Sequence, residues 1–158
     1  MLDKIVVPLD GSDLAEEVLP VVEELASKLP AEVVLLQVVI TFAEATREAL
    51  PGPGTTPELS MDVAKRRVEA ETDSASRYLQ AVSERLQGKG LKVSTAITEG
   101  LPAGAILEYA KENGASLIAL ATHGRGGLAR AVTGSVADAV VRHSDVPVLL
   151  VRVRAEHL

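Results

Sequence analysis

Glycine is concentrated in one short stretch of the sequence, ATHGRGGLARAVTGSV, at residues 121–136. Four of the chain's 12 glycines lie there, namely Gly124, Gly126, Gly127 and Gly134. Glycine permits positive φ and places no Cβ between the main chain and an approaching molecule. A tight turn needs only one or two such residues. The excess therefore indicates a surface of backbone amides that binds another molecule.

The end of this stretch has features that suit a phosphate group. Gly134 and Ser135 come directly before an amphipathic segment, so they mark the start of a predicted helix, whose free N–H groups and positive dipole end attract anions. Ser135 adds a hydroxyl donor, and Arg125 or Arg130 adds positive charge. The pattern predicts a nucleotide-phosphate site, but it is neither the Walker motif G-x-x-x-x-G-K-[ST] nor the dinucleotide motif G-x-G-x-x-G.

Each of these residues also has a purely structural interpretation. Gly124, Gly126 and Gly127 can form a strained turn that holds no ligand. Ser135 can serve as a helix N-cap, alone or together with a phosphate contact, and Asp10 can cap the helix after the first strand. The sequence leaves these alternatives open.

The elements around the stretch alternate between short β-type runs and longer helical patterns. This alternation is typical of βαβ units with a mostly parallel sheet. It predicts an α/β, Rossmann-like fold: an open parallel five-stranded sheet with helices on both faces. The predicted strands are Lys4–Leu9, Glu32–Val39, Leu91–Thr98, Ser116–Ala121 and Val146–Val153, and the predicted helices are Asp13–Lys28, about Met61–Gln87, Ala103–Asn113 and Ser135–His143.

Two loops are expected to meet at one edge of this sheet. Right-handed crossovers permit the strand order 3-2-1-4-5, in which the first and fourth strands are neighbours. The loop after the first strand, VPLDGSD, contains Pro8 and Asp10, and the loop after the fourth strand is the glycine-rich stretch. Ligands of open α/β sheets bind beyond the carboxyl ends of the strands. Both loops are therefore predicted to line one crevice.

Two proline-containing regions interrupt the regular pattern. Pro20 lies within the first predicted helix and is expected to kink it or to mark an irregular turn. Residues 43–60, AEATREALPGPGTTPELS, contain three prolines and two glycines, so a mobile loop is expected there. The 158 residues suit a single domain, residues 1–158, with no repeat.

Composition and charge exclude several classes of function. The net charge of −6 disfavours nucleic acid as a partner. No apolar run reaches the roughly 18 residues of a membrane span, and the N-terminus lacks a signal-peptide pattern, so a cytoplasmic protein that does not enter membranes is expected. The absence of cysteine excludes disulfides, thiol nucleophiles and cysteine-ligated metals. His123, His143 and His157 lack metal-ligand spacing, so no protein metal site is predicted.

The sequence resembles the universal stress proteins, in particular the branch that binds ATP through the motif G-2x-G-9x-G-[ST]. Ala121, Gly124 and the pair Gly134-Ser135 reproduce the spacing of that motif, with alanine in place of the first glycine. The resemblance covers essentially the whole chain. It includes the segments KIVVPLDGS, EVVLLQVV, EGLPAGAILEYA and SDVPVLLVRV.

The resemblance implies a role for each matching residue. Pro8 and Asp10 lie beside the adenosine, with Asp10 reaching the ribose, and the main chain of Val38 reads the adenine edge. Leu120 and Ala121 line the nucleoside. The resemblance further implies that backbone amides of Gly124, Gly134, Ser135 and Val136 surround the phosphates. The predicted site also includes Arg125, for its positive charge. Mg²⁺ then binds through phosphate oxygens and water rather than through a protein cage.

Three functions are compatible with this sequence. The favoured one is a nucleotide-binding signalling protein that holds Mg-ATP as a switch in the stress response. The others are an ATP hydrolase and a nucleotide-free dimeric interaction module, the latter favoured by Ala121. Hydrolysis needs a general base and a cation fixed on the γ-phosphate, which the sequence does not indicate, so no catalytic residue and no enzyme activity are predicted. A homodimer is expected along the strand Val146–Val153, an apolar edge strand that invites pairing.

Overall fold

The central feature of the fold is a parallel β-sheet. The computed structural model describes residues 1–49, 52–124 and 134–154. Within them five strands are arranged in the order β3-β2-β1-β4-β5, which confirms the predicted α/β fold and strand order. The strands are β1 (Lys4–Pro8), β2 (Glu32–Val39), β3 (Val93–Glu99), β4 (Leu117–Gly124) and β5 (Val148–Arg154).

Helices cover both faces of this sheet. Their bounds are α1 (Asp13–Glu16), α2 (Leu19–Lys28), α3 (Phe42–Glu48), α4 (Pro57–Gln87), α5 (Pro102–Glu112) and α6 (Ser135–His143). On one face α2 and α4 pack on Ile5, Val7 and Leu35. On the other, α5 and α6 pack on Val6 and Leu36. Successive side chains of a strand point to opposite faces of the sheet. Because helices cover both faces, nearly every residue of a strand must be apolar.

The helix expected at residues 13–28 forms as two helices, α1 and α2. Pro20 lies in the first turn of α2. A proline there removes no hydrogen bond, because the first N–H groups of a helix have no intrahelical partner. The irregular turn expected at Pro20 therefore takes the form of a new helix start.

The prediction of a loop at residues 43–60 is wrong at both ends of that range, where the structure has helices. Residues 43–48 belong to α3, which begins with a capping box in which Thr41 and Glu44 bond to each other's backbone amides. Residues 57–60 belong to α4, which starts at Pro57 after the capping residue Thr56. Thr followed three residues later by Glu is a helix-start signal that outweighs the nearby prolines and glycines. Residues 50 and 51 lie outside the described residues.

The strands at the site edge also differ from their expected bounds. β4 continues three residues past Ala121 to Gly124, paired throughout with β5. β5 begins at Val148 rather than at Val146. The glycine-rich stretch therefore starts inside a strand. In the described part of the chain no helix is both long and apolar enough to cross a lipid bilayer.

Candidate functional site

A cavity of about 340 Å³ lies at the carboxyl edge of the sheet, above β1 and β4. Helix α1 borders one side of it, and the N-terminal turns of α5 and α6 border the other. Its lining comprises Pro8, Leu9, Asp10, Leu14, Ala15, Leu36, Val38, Pro102, Ile106, Leu120, Ala121, Thr122, His123, Gly134, Ser135, Val136 and Ala137. The loop after β1, the end of β4 and the start of α6 thus face one crevice, at the point where neighbouring connections leave in opposite directions.

Most of the predicted site residues come together in this cavity. Its lining includes Pro8, Asp10, Val38, Leu120, Ala121, Gly134, Ser135 and Val136. Gly124 is the last residue of β4, at the same edge of the sheet. Arg125 lies outside the described residues, as do Gly126, Gly127, Arg130 and His157.

Asp10 supports a helix cap and also faces the cavity. Its Oδ1 accepts hydrogen bonds from the Ser12 amide at 2.9 Å and from the Ser12 hydroxyl at 2.6 Å. Ser12 is the N-cap of α1, and its Oγ accepts from the Ala15 amide at 3.1 Å. Asp10 therefore does not cap α1 itself. It supports the cap by accepting hydrogen bonds from the capping residue Ser12. Among the described residues Oδ2 makes no hydrogen bond, so it remains able to accept one from a ligand.

The start of α6 presents backbone donors at the cavity. Gly134, not Ser135, is the N-cap, and the first bond of the helix runs from the Asp138 amide to the Gly134 carbonyl at 2.9 Å. The Gly134 amide donates to Thr122 Oγ1 at 3.0 Å. The Gly134 amide is therefore not free to bind a ligand. The lack of a side chain at Gly134 leaves room in the cavity. At the start of α6, the amides that have no acceptor among the described residues are those of the first three helical residues, Ser135, Val136 and Ala137.

Ala121 occupies regular strand backbone. It pairs with Val151 in the middle of the β4–β5 ladder, and its side chain packs on the same core cluster as Ile5 and Val7. Strand backbone has negative φ, which alanine adopts without strain. The alanine at the first position of the motif is therefore compatible with the observed backbone.

An ion-pair and hydrogen-bond network fixes α1 beside the cavity. Glu16, at the end of α1, accepts from the Tyr78 hydroxyl at 3.0 Å and pairs with Arg85 at 2.6 Å, so α1 is bound to α4. Burial, followed by the hydrogen bond to Glu16 and the negative charges of Glu16 and Asp10, raises the pKa of Tyr78 well above its usual range. Tyr78 consequently keeps its proton and donates a hydrogen bond to Glu16.

Sequence reasoning missed part of the apolar wall and one polar residue. The missed positions include Leu14, Ala15, Leu36, Pro102, Ile106 and Thr122. Strand periodicity could have found Leu36, since it lies two residues before Val38 and shares its face. Thr122 could have been found as a polar residue two positions after Leu120, on the same face of β4. The helix residues carried no comparable signal, because their contribution depends on how each helix lies on the sheet.

A protein-ligated metal is not indicated by the described residues. In residues 1–49, 52–124 and 134–154, no group of three or more His, Asp or Glu side chains is arranged to hold a metal ion.

The comparison with protein families decides the identity of this chain. A model described as the universal stress protein family matches residues 1–152. The chain belongs to the universal stress protein family. Among its relatives, universal stress protein YxiE of Bacillus subtilis is 35% identical over 96% of this chain and 100% of its own length. The solved structure of MJ0577 from Methanocaldococcus jannaschii has a TM-score of 0.77 at 27% identity, covering 97% of both chains.

Two further solved universal stress proteins share this fold and are described as complexes. One is a complex with cAMP, 20% identical with a TM-score of 0.65, covering 96% of this chain and 97% of the other. The other, from Archaeoglobus fulgidus, is a complex with dAMP, 23% identical with a TM-score of 0.58, covering 95% and 98%. At these identities the likeness shows the fold shared with this universal stress protein.

Proposed function

We propose that this universal stress protein binds Mg-ATP in the cavity at the carboxyl edge of the sheet and acts as a non-catalytic switch in the stress response. The observation that carries the proposal is the cavity itself. It brings the loop after β1, the end of β4 and the N-terminus of α6 to one place. The proposal is also supported by the matched family and by the adenine nucleotides described in two proteins of the same fold.

The apolar part of the cavity suits a nucleoside. Leu36, Val38, Ile106 and Leu120 form a continuous wall above the sheet. The volume of about 340 Å³ lies in the range typical of small-molecule sites, about 300–1,000 Å³. Asp10, with one carboxylate oxygen still able to accept, is positioned to receive a ribose hydroxyl, as the resemblance implies.

The polar part of the cavity suits phosphates. The amides of Ser135, Val136 and Ala137 belong to the first turn of α6, where the helix dipole also favours negative charge. The Ser135 side chain adds a hydroxyl. Mg²⁺ is expected to bind mainly to phosphate oxygens and water, since this small, hard cation retains several waters when it accompanies a nucleotide.

We further propose that binding occurs with little or no turnover. Phosphoryl transfer needs a base or water-positioning group together with a cation at the γ-phosphate. The described lining has two titratable side chains, Asp10 and His123, and it contains no lysine or arginine that could act on the γ-phosphate. A phosphate-release assay tests this proposal, and turnover at about 1 s⁻¹ or faster would contradict it.

Calorimetry with Mg-ATP tests the binding proposal, with Gly134→Val as the site variant. Among the described residues, a Cβ at Gly134 meets only Thr122 Oγ1, at 3.7 Å, which is ordinary van der Waals contact. The larger branched side chain occupies space that the phosphates need, and we expect binding to be lost. Gly52→Val is the matched control, because a Cβ there meets no described atom within 4 Å and Gly52 is not among the residues that line the cavity.

The outcomes of this experiment separate the proposed functions. Loss of binding in Gly134→Val with wild-type affinity in Gly52→Val supports the phosphate site at α6. Unchanged affinity in a folded Gly134→Val variant would remove Gly134 from the site. A wild-type protein that binds no adenine nucleotide, and retains none through purification by mass spectrometry, would favour the nucleotide-free dimeric module instead.

We also propose that two copies associate through the edge strand β5. In the described sheet β5 pairs only with β4, so its other side is an open edge. Leu149, Leu150 and Val151 are only partly buried there. An apolar edge strand of this kind pairs readily with a second chain. Light scattering at micromolar concentration tests the proposal, and a monomer would contradict it.

A further inference from the structure

Thr122 makes a hydrogen bond that links the two ends of the glycine-rich stretch. Its side chain is 2% exposed and lies on the same face of β4 as Leu120, toward α6. Its Oγ1 accepts from the Gly134 amide at 3.0 Å, across a separation of 12 residues. Both residues line the cavity. This bond joins the strand that forms the floor of the cavity to the helix that supplies its amides.

Gly134 has no side chain with which to fix the start of α6. Helix N-caps usually hold the first turn through a side-chain oxygen, and at Gly134 there is no such bond. The buried side chains of α6 are Ala137 and Val140, so neither Ser135 nor Val136 anchors the helix start in the core. The direction of the Ser135, Val136 and Ala137 amides thus depends on the position of Gly134. Among the described residues, the side chain that fixes this position is Thr122, through its hydrogen bond to the Gly134 amide.

We infer that Thr122 is a positioning residue for phosphate: its hydroxyl holds Gly134 so that the amides of Ser135, Val136 and Ala137 face the cavity. The inference rests on the proposed nucleotide site and goes beyond it, because Thr122 acts through Gly134 rather than by contacting the ligand. It predicts that the hydroxyl of Thr122 matters for the phosphates and not for the nucleoside.

A simpler explanation is that a buried hydroxyl needs some partner for stability alone. The two explanations differ in what the removal of the hydroxyl changes. A purely stabilising bond affects the folding of the whole protein and leaves the ligand preference of the folded fraction unaltered. A positioning bond weakens the binding of phosphate-bearing ligands while the nucleoside still binds.

Two matched pairs of variants isolate the hydroxyl. Thr122→Val preserves the shape of the side chain and removes the acceptor, so it is compared with the wild type. Thr122→Ala and Thr122→Ser differ from each other by one oxygen, and this pair makes the same comparison if the valine variant does not fold. Calorimetry measures ATP and adenosine binding, and NMR measures hydrogen exchange of the Gly134 amide.

We expect Thr122→Val to weaken ATP binding by about tenfold, equivalent to about 1.4 kcal/mol, and to change adenosine binding by less than about twofold. Thr122→Ser is expected to bind ATP within about threefold of the wild type, because a hydroxyl still accepts from Gly134. The Gly134 amide is expected to exchange at least about tenfold faster in the valine and alanine variants, since exchange follows the loss of its hydrogen bond.

Two outcomes would overturn the inference. One is unchanged ATP affinity in the variants without a hydroxyl; the other is a parallel loss of ATP and adenosine binding in those variants, whether or not serine restores it. If the wild type binds no adenine nucleotide, the proposed function fails and the exchange measurement decides the role of Thr122 separately. Equal Gly134 exchange rates in the serine and alanine variants would then overturn it.

Discussion

Replacing Ala121 with glycine tests whether the methyl group at the first position of the motif hinders nucleotide binding. The alanine has strand backbone and packs on the core cluster beneath α1 and α4, so glycine restores no conformation that alanine forbids. We therefore expect Ala121→Gly to change ATP affinity by less than about tenfold, equivalent to about 1.4 kcal/mol. The substitution relieves no strain, and at most it enlarges the cavity by one methyl group.

The same substitution is expected to lower stability. Removing a fully buried methyl group costs about 0.8 kcal/mol, and this one is only partly buried. Glycine in a strand adds about 0.5–1 kcal/mol through the greater freedom of the unfolded chain. The sum is about 1–1.5 kcal/mol, which corresponds to a fall of about 2–6 °C in Tm for a domain of this size.

Calorimetry with Mg-ATP and thermal unfolding of the two proteins without ligand measure these effects separately. A glycine variant that is less stable and binds ATP about as well supports the argument. If the wild type fails to bind and the glycine variant binds well, the methyl group blocks the site, and the chain is a nucleotide-free member of its family. A rise in stability would show that Ala121 is strained in the strand, contrary to its regular pairing with Val151.

Two further predictions concern the edge strand and the network beside the cavity. The Ile118 amide donates to the Pro147 carbonyl, and backbone groups alternate along a strand, so the Leu150 amide faces away from β4. Leu150→Pro should yield a folded monomer by light scattering, and a persisting dimer would exclude this edge as the interface. The pKa of Tyr78 is raised above 10.0, so the unfolded chain loses this proton first and the free energy of unfolding should fall as pH rises above 10. Urea denaturation between pH 8 and 11 should show a smaller fall for Tyr78→Phe, and identical pH profiles would contradict the assignment.

The sheet was predictable because its signal is local. Each strand is a short apolar run between turn residues, and crossover handedness leaves few possible orders. The segment at residues 43–60 was mispredicted because Pro57 and the nearby glycines were given more weight than the helix-start signal at Thr41 and Glu44. Proline at the first position of a helix favours helix formation. Pro57 alone is therefore compatible with a loop or with a helix start, and the capping residue Thr56 before it distinguishes the two.

The site was predictable as a set of residues but not as a set of bonds. The resemblance brought Pro8, Asp10 and Ser135 to one cavity, where the structure also places them. The resemblance implied that the Gly134 amide contacts a phosphate, whereas in the structure that amide donates a hydrogen bond to Thr122 Oγ1. A donor's partner depends on distances between segments far apart in the chain, and no pattern within one segment carries that information.

The strand order has a consequence for how the protein is made. β1 is the central strand, yet the amides of Asp3 and Lys4 bond to Ser116, which follows more than 110 residues later. At a synthesis rate of about 5–20 residues per second, one edge of β1 stays unpaired for roughly 5–20 s, until β4 has been synthesised. During that time β1, β2 and β3 can assemble, but half of the cavity does not yet exist. The cavity is therefore complete only after the last third of the chain has joined the sheet, and a ligand that needs the whole cavity cannot stabilise the earlier intermediate.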